Sequence, residues 1–98
     1  MLKIILAEIF STFFFLSVIL AVTSTKEVLA PLIIGLALAV SIFFASKASL
    51  GALNPAVAIA LYFRGDINLL TSIAYIVAEI LGALLAFVWW SMTLGSKK

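Results

Sequence analysis

The sequence predicts an all-α membrane protein with three transmembrane helices and one re-entrant half-helix. Hydrophobic residues make up 66% of the chain and charged residues only 10%, which is more apolar surface than a small soluble core can bury. The mean hydropathy of +1.39 leaves a bilayer as the solvent. At about 20 residues per crossing, 98 residues allow one domain with three or four membrane elements.

The chain contains no cysteine and no histidine. Disulfide frameworks, thiolate zinc sites and Ser-His-Asp triads are therefore excluded. The six basic residues are too few for a nucleic-acid-binding stripe. We expect no enzyme, no cofactor, no metal site and no nucleic-acid partner.

The first two crossings are predicted from long apolar runs. Residues 4–22 contain only one charge, Glu8, and end at the polar segment 23–27. A signal peptide is not expected, because no small-x-small cleavage site follows and Glu8 interrupts the apolar run. Residues 28–46 carry no charge and form the second predicted crossing.

Residues 47–63 are predicted to re-enter the membrane rather than cross it, because their apolar run is too short. Asn54 is a favoured N-cap and Pro55 a favoured first helical residue. A helix from Pro55 to Phe63 would be roughly 14 Å long and would start near the midplane. An amide at this positive helix end, beside loop carbonyls, would pass neutral solutes and repel cations. The alternative is an ordinary Asn-Pro turn between two short helices.

Residues 67–93 form the last predicted crossing, with Glu79 as its only charge and Trp89 and Trp90 as interfacial anchors. Small residues spaced by four predict a helix-packing face on this segment. These residues are Ala74, Ala78, Gly82 and Ala86.

The basic residues divide equally between the two sides that this topology defines. One side holds Lys3, Lys47 and Arg64, and the other holds Lys26, Lys97 and Lys98. Because cytoplasmic loops normally carry the excess of Lys and Arg, an equal division predicts insertion in both orientations.

Four segments follow the motifs of a known membrane protein family in the family's order. They are residues 7–14 (Ala-Glu-Ile-Phe-Ser-Thr-Phe-Phe), 35–37 (Gly-Leu-Ala), 53–57 (Leu-Asn-Pro-Ala-Val) and 74–83 (Ala-Tyr-Ile-Val-Ala-Glu-Ile-Leu-Gly-Ala). Nearly the whole chain thus resembles one half of an aquaporin or glycerol facilitator, the major intrinsic protein family. Family members are fused inverted repeats of three crossings and one half-helix.

The resemblance implies that Asn54 is the pore amide, that Pro55 and Ala56 set the half-helix start, and that Glu8 holds N–H groups of the re-entrant loop. Candidate pore-lining residues are Ile34, Ile42, Leu50, Gly51, Ala52 and Val57. The chain departs from the family pattern at several places. The histidine before the Asn-Pro-Ala motif is missing and the glycine there is displaced, and Ile34 stands where aromatic residues are common. Val57 follows Ala56, where the family's second repeat has the filter arginine. These departures suggest an apolar constriction.

The two acidic residues inside predicted crossings leave alternatives open. Scaffolding is favoured over a proton relay for Glu8, because no histidine or basic neighbour on its helix supports a relay. Glu79 stands where the family usually has glutamine. Together with Glu8 it is a candidate for loop support. It is either protonated and bonded like an amide or paired with Lys47 of its own or another chain. Lys47 otherwise reaches the interface as a helix-end lysine.

We therefore expect an integral membrane channel that passes water, glycerol or another small uncharged solute. Its pore would be formed by an antiparallel homodimer within the lipid bilayer, and a tetramer of such dimers is left open. Two alternatives remain, a small proton-coupled transporter and a non-conducting accessory subunit. The first would need four full crossings and a central acid, and the second only the small-residue face.

Overall fold

The structure, a computed structural model, describes residues 1–95; Lys97 and Lys98 of the charge comparison lie outside the described residues. These residues form four helices and no strand, which confirms the all-α prediction. They are α1 (Leu2–Thr23), α2 (Ala30–Ala45), α3 (Pro55–Arg64) and α4 (Leu69–Thr93). The longest dimension is 43 Å, close to the thickness of a bilayer with its headgroups, about 40–45 Å.

Helices α1 and α4 are long and apolar enough to cross a membrane. In α1, polar side chains are buried and large apolar side chains are exposed, which is the opposite of the pattern in helices of soluble proteins. The buried residues of α1 are Glu8, Ser11 and Thr12, whereas Phe10 and Phe14 are exposed. Polar groups inside and apolar groups outside are typical of a protein whose solvent is lipid.

Helix α2 is shorter than the predicted crossing of residues 28–46. It has 16 residues and a length of about 24 Å. The residues before it form turns instead of helix, and the Leu29 N–H donates to Glu27 Oε2 at 2.9 Å. Pro31 lies in the first turn of α2, where its missing N–H costs no hydrogen bond.

Helix α3 starts and ends on local signals. Asn54 Oδ1 accepts a hydrogen bond from the Ala56 N–H at 2.8 Å, and Pro55 is the first helical residue, as the sequence predicts. Gly65, at φ 91°, ends the helix in the left-handed conformation. The ten residues of α3 span about 15 Å. Residues 46–54 before them form a loop rather than a second short helix.

Helix α4 packs most extensively on α1. In the described chain, α2 packs mainly on α1, and α3 packs mainly on α4. Ala78, Gly82 and Ala86 of the small-residue face are buried, and Ala74 is half-buried. A Cβ added at Gly82 would lie 2.8 Å from the Ile9 carbonyl oxygen of α1, so the helix backbones approach as closely as glycine permits.

The two ends of α4 are fixed by side-chain hydrogen bonds. Asn68 Oδ1 accepts from the Thr71 N–H at 2.8 Å and caps the start of the helix. Trp90 Nε1 donates to Ser24 Oγ at 2.7 Å, which ties the last turns of α4 to the end of α1. Of the two predicted interfacial anchors, Trp89 is the one with its ring largely exposed.

Candidate functional site

The loop of residues 46–54 is held by a buried carboxylate of α1. Glu8 is 0% exposed. Its Oε1 accepts from the Leu53 N–H at 2.9 Å, and its Oε2 accepts from Ser49 Oγ at 2.5 Å. The Ser49 hydroxyl in turn accepts from the Gly51 N–H at 3.0 Å. Glu8 therefore reaches three groups of the loop, two directly and one through Ser49. This is the kind of contact that the family resemblance implies for Glu8.

Tyr75 of α4 holds the same loop from the other side. Its hydroxyl oxygen accepts from the Leu50 N–H at 2.8 Å, and its ring packs with Ala52 and Ala58 in a buried cluster. Sequence reasoning placed Tyr75 within a motif but assigned it no role. Its spacing of four residues from Glu79 puts the two side chains on one face of α4 and was the available signal.

The loop backbone is strained just before α3 begins. Leu53 has φ 57°, and of the described residues it alone is a non-glycine with positive φ. Such a conformation costs energy in a residue with a Cβ and persists only where surrounding contacts enforce it. The bond from the Leu53 N–H to Glu8 is one such contact. Gly51 also has positive φ, 65°, and its Cα faces Ile42, whose Cγ2 would lie 3.2 Å from an added Cβ.

The start of α3 faces outward. Ala52 and Leu53 are buried, whereas Asn54 and Ala56 are exposed. Asn54 Oδ1 is occupied by the Ala56 N–H, but in the described part of the chain nothing accepts from the Asn54 side-chain N–H groups. This surface combines an amide with free donors and the positive end of a helix, and it can bind an uncharged hydrogen-bonding solute.

The candidate pore-lining residues are not all on this surface. Leu50, Val57 and Ile42 are exposed, whereas the Ala52 side chain and Gly51 are buried within the chain. Ile34 is half-buried on α2, roughly 12 Å along the helix from Ile42. One copy of the chain thus exposes part of this set and covers the rest.

Glu79 is buried on α4 without a hydrogen-bond donor. It is 1% exposed, and no described group donates to either carboxyl oxygen. The Glu8 carboxyl and the Asn54 backbone N–H are its electrostatic neighbours. Of the alternatives for Glu79, the pairing with Lys47 of its own chain is not formed, because Lys47 is exposed with its Nζ 5.8 Å from the centre of the Phe43 ring.

A polar cleft of about 540 Å³ opens beside the loop at one end of the protein. Lys3, Lys47 and Asp66 line its mouth, and it extends to Ser49 and Tyr75. Asp66 binds the Arg64 guanidinium, and this hydrogen bond holds the pKa of the Asp66 carboxyl below its usual range. Because the cleft extends to Ser49 and Tyr75, water can approach these two side chains, which bind the loop.

The match to a family model decides to which family the chain belongs. The model, described as MIP, major intrinsic protein, matches residues 1–96 of the 98-residue chain. The chain belongs to the major intrinsic protein family. No curated protein and no solved structure matches it. The major intrinsic proteins are membrane channels of the aquaporin and glycerol facilitator kind rather than enzymes, and they form oligomers and act on small solutes. This chain is an integral membrane protein.

Replacement of Tyr75 by phenylalanine should destabilise this major intrinsic protein. The Leu50 N–H would lose its acceptor in a partly buried loop, at a cost of about 1–3 kcal/mol. Tyr62→Phe is the matched control, because the Tyr62 hydroxyl has no partner among the described residues. Helical circular dichroism during heating in detergent measures both variants. Equal midpoints for the two would show that the Tyr75 hydroxyl does not hold the loop.

Proposed function

We propose that this major intrinsic protein is one half of a channel, and that two copies in opposite orientations form a pore for water, glycerol or another small uncharged solute. Residues 4–22, 28–46 and 67–93 would cross the membrane, and residues 47–63 would re-enter it. The observation that carries the proposal is the exposed start of α3, where the family's Asn-Pro-Ala motif lies on the surface of a single copy.

The half-helix interpretation rests on length and on the loop contacts. Helix α3 reaches about half of a 30 Å hydrocarbon core. Irregular backbone is tolerated at that depth only where it is buried in protein or lines a cavity. The loop before α3 meets this condition, since Glu8 and Tyr75 supply acceptors for its N–H groups. At about 24 Å, α2 would cross with the help of its flanking turns.

A second, inverted copy is the partner that fits the exposed surface. Helix α3 packs mainly on α4 in the described chain, and Ala56 and Val57 on its first turn are exposed. A two-fold axis in the membrane plane would bring two such helix starts together at the midplane, which is the geometry of inverted-repeat channels. The equal division of basic residues between the two sides permits both orientations.

Passage through this pore would be passive. Two Asn54 amides would offer donors to the solute, and the two positive helix ends would repel cations. Val57 follows the Asn-Pro-Ala motif in both copies, so the pore would lack a filter arginine. Ile34 and Ile42 would make an apolar wall, which favours neutral solutes over ions.

Solute flux into proteoliposomes tests the function. Stopped-flow light scattering should show faster water or glycerol entry than in empty liposomes, without a proton gradient. A tag on either terminus should be labelled from one side in part of the population and from the other side in the rest. Flux that requires a proton gradient would replace the channel by a transporter. Absence of both flux and a defined even-numbered oligomer would indicate an accessory subunit.

A cysteine cross-link tests the antiparallel arrangement. The chain has no cysteine, so Ala56→Cys introduces a single thiol at the start of α3. Two such thiols would meet at the two-fold axis and oxidise to a disulfide-linked dimer. Phe63→Cys is the matched control at the other end of α3, which is also exposed, and there two thiols would lie about 20 Å apart. Dimers of Phe63→Cys without dimers of Ala56→Cys would reject the arrangement.

A further inference from the structure

We propose that Glu79 is a positioning residue that stays protonated and donates a hydrogen bond to the Glu8 carboxylate, so that Glu8 stays oriented toward the loop. The inference deepens the proposed function and rests on it. Both carboxyls are buried, Glu8 at 0% and Glu79 at 1% exposed. Glu79 lies one turn before Gly82 on α4, and Glu8 is next to Ile9 on α1. Because the two helices approach each other closely between Gly82 and Ile9, the two carboxyls are neighbours across the helix pair. Two like charges at such a position are not stable together, so the pair holds one proton.

The hydrogen bonds decide where this proton resides. Both oxygens of Glu8 already accept hydrogen bonds, one from the Leu53 N–H and one from the Ser49 hydroxyl. Neither oxygen of Glu79 has a described donor, although the Asn54 backbone N–H lies near enough to interact with the carboxyl. A protonated Glu79 becomes a donor itself, with the Glu8 carboxylate as the acceptor beside it. It then donates a hydrogen bond, as would the amide of glutamine, the residue that is common at this position in the family.

No cation in the described chain compensates a second negative charge at this position. Helix α2 contains no titratable residue. The Arg64 side chain at the far end of α3 binds Asp66, and Lys47 in the loop lies over the Phe43 ring. Lys3, at the start of α1, is exposed and lines the polar cleft. The hydroxyl of Tyr75 on α4 accepts from the Leu50 N–H.

Loss of the Glu79 proton would act on the loop through Glu8. Repulsion between the two carboxylates would turn Glu8 away from the Leu53 N–H. The positive φ of Leu53 would then lose a contact that enforces it, and the start of α3 would shift. The polar cleft reaches Ser49, whose hydroxyl donates to Glu8, and the pair would exchange its proton with the external solution along this contact. Solute flux should therefore fall at alkaline pH.

A pH series of solute flux tests the inference. The parent should lose flux at alkaline pH by about tenfold, as expected when one charge-assisted hydrogen bond is lost. At every pH, Glu79→Gln should show the flux that the parent shows at neutral pH, since the glutamine amide donates a hydrogen bond to Glu8 and does not titrate. Glu27→Gln is the control, because Glu27 is exposed in the α1–α2 turn, and it should follow the parent. Flux in the parent that does not change with pH would overturn the inference.

Infrared difference spectroscopy locates the proton without any transport assay. The parent should show the carbonyl band of a buried carboxylic acid at neutral pH, and the band should vanish at alkaline pH. It should be missing in Glu79→Gln. A band that persists in Glu79→Gln, or a parent without the band, would reject a proton on Glu79. If the band titrates but no flux occurs at any pH, the proposed channel function fails while the proton on Glu79 stands.

Discussion

Gly82→Ala should weaken the packing of α1 on α4 and lower the stability of the protein. The added Cβ would lie 2.8 Å from the Ile9 carbonyl oxygen and 2.9 Å from Thr12 Cβ, so the helix backbones must separate. Overpacking of this kind costs about 1–3 kcal/mol. Loss of helical circular dichroism during titration of detergent micelles with dodecyl sulfate measures the change. Gly82→Leu should prevent accumulation of the folded protein.

The matched control for this prediction is Gly35→Ala on α2, where an added Cβ meets nothing within 4 Å. Both substitutions replace a helical glycine and gain the same intrinsic helix propensity, about 1 kcal/mol. The difference between the two variants therefore isolates the contact between α1 and α4. A Gly82→Ala protein as stable as Gly35→Ala would show that the helices do not approach closely at Gly82.

Asn54→Asp should convert the proposed channel into one that leaks cations. The aspartate would still cap α3 through its carboxylate oxygen, so folding should be retained. In each copy the new negative charge would offset the positive helix end that repels cations. The leak should rise with pH, because only the ionised carboxylate attracts cations. Dye-reported sodium or proton flux across a pH series, beside neutral-solute swelling, provides the measurement.

Asn68→Asp is the control for the leak. Asn68 caps α4 with the same side-chain geometry, Oδ1 to a backbone N–H at 2.8 Å, but it lies in the turn between α3 and α4. This variant should fold and should not leak. If Asn54→Asp folds, passes neutral solute and shows no leak at any pH, Asn54 does not line the path. Asn54→Ala should only lose a cap worth about 0.5–2 kcal/mol.

The sequence by itself determined the solvent of this protein and its local helix signals. Its apolar content required a membrane, and the long runs around α1 and α4 predicted two helices of membrane-crossing length. The Asn54-Pro55 pair marked the start of α3 because a cap and its helix are adjacent in the chain. The family resemblance from four short motifs is confirmed by a match over residues 1–96.

Only the tertiary structure decided how the loop is held. Glu8 and Leu53 are 45 residues apart in the chain, and Tyr75 lies 25 residues beyond Leu50. The same holds for Glu79, which meets a carboxyl group instead of Lys47, and for Gly82, whose neighbour is the backbone of α1. Capping and hydropathy depend on neighbours along the chain and can be recognised from residue types. Buried hydrogen bonds and close helix contacts depend on the rotation of one helix against another, which packing sets only when all the helices come together.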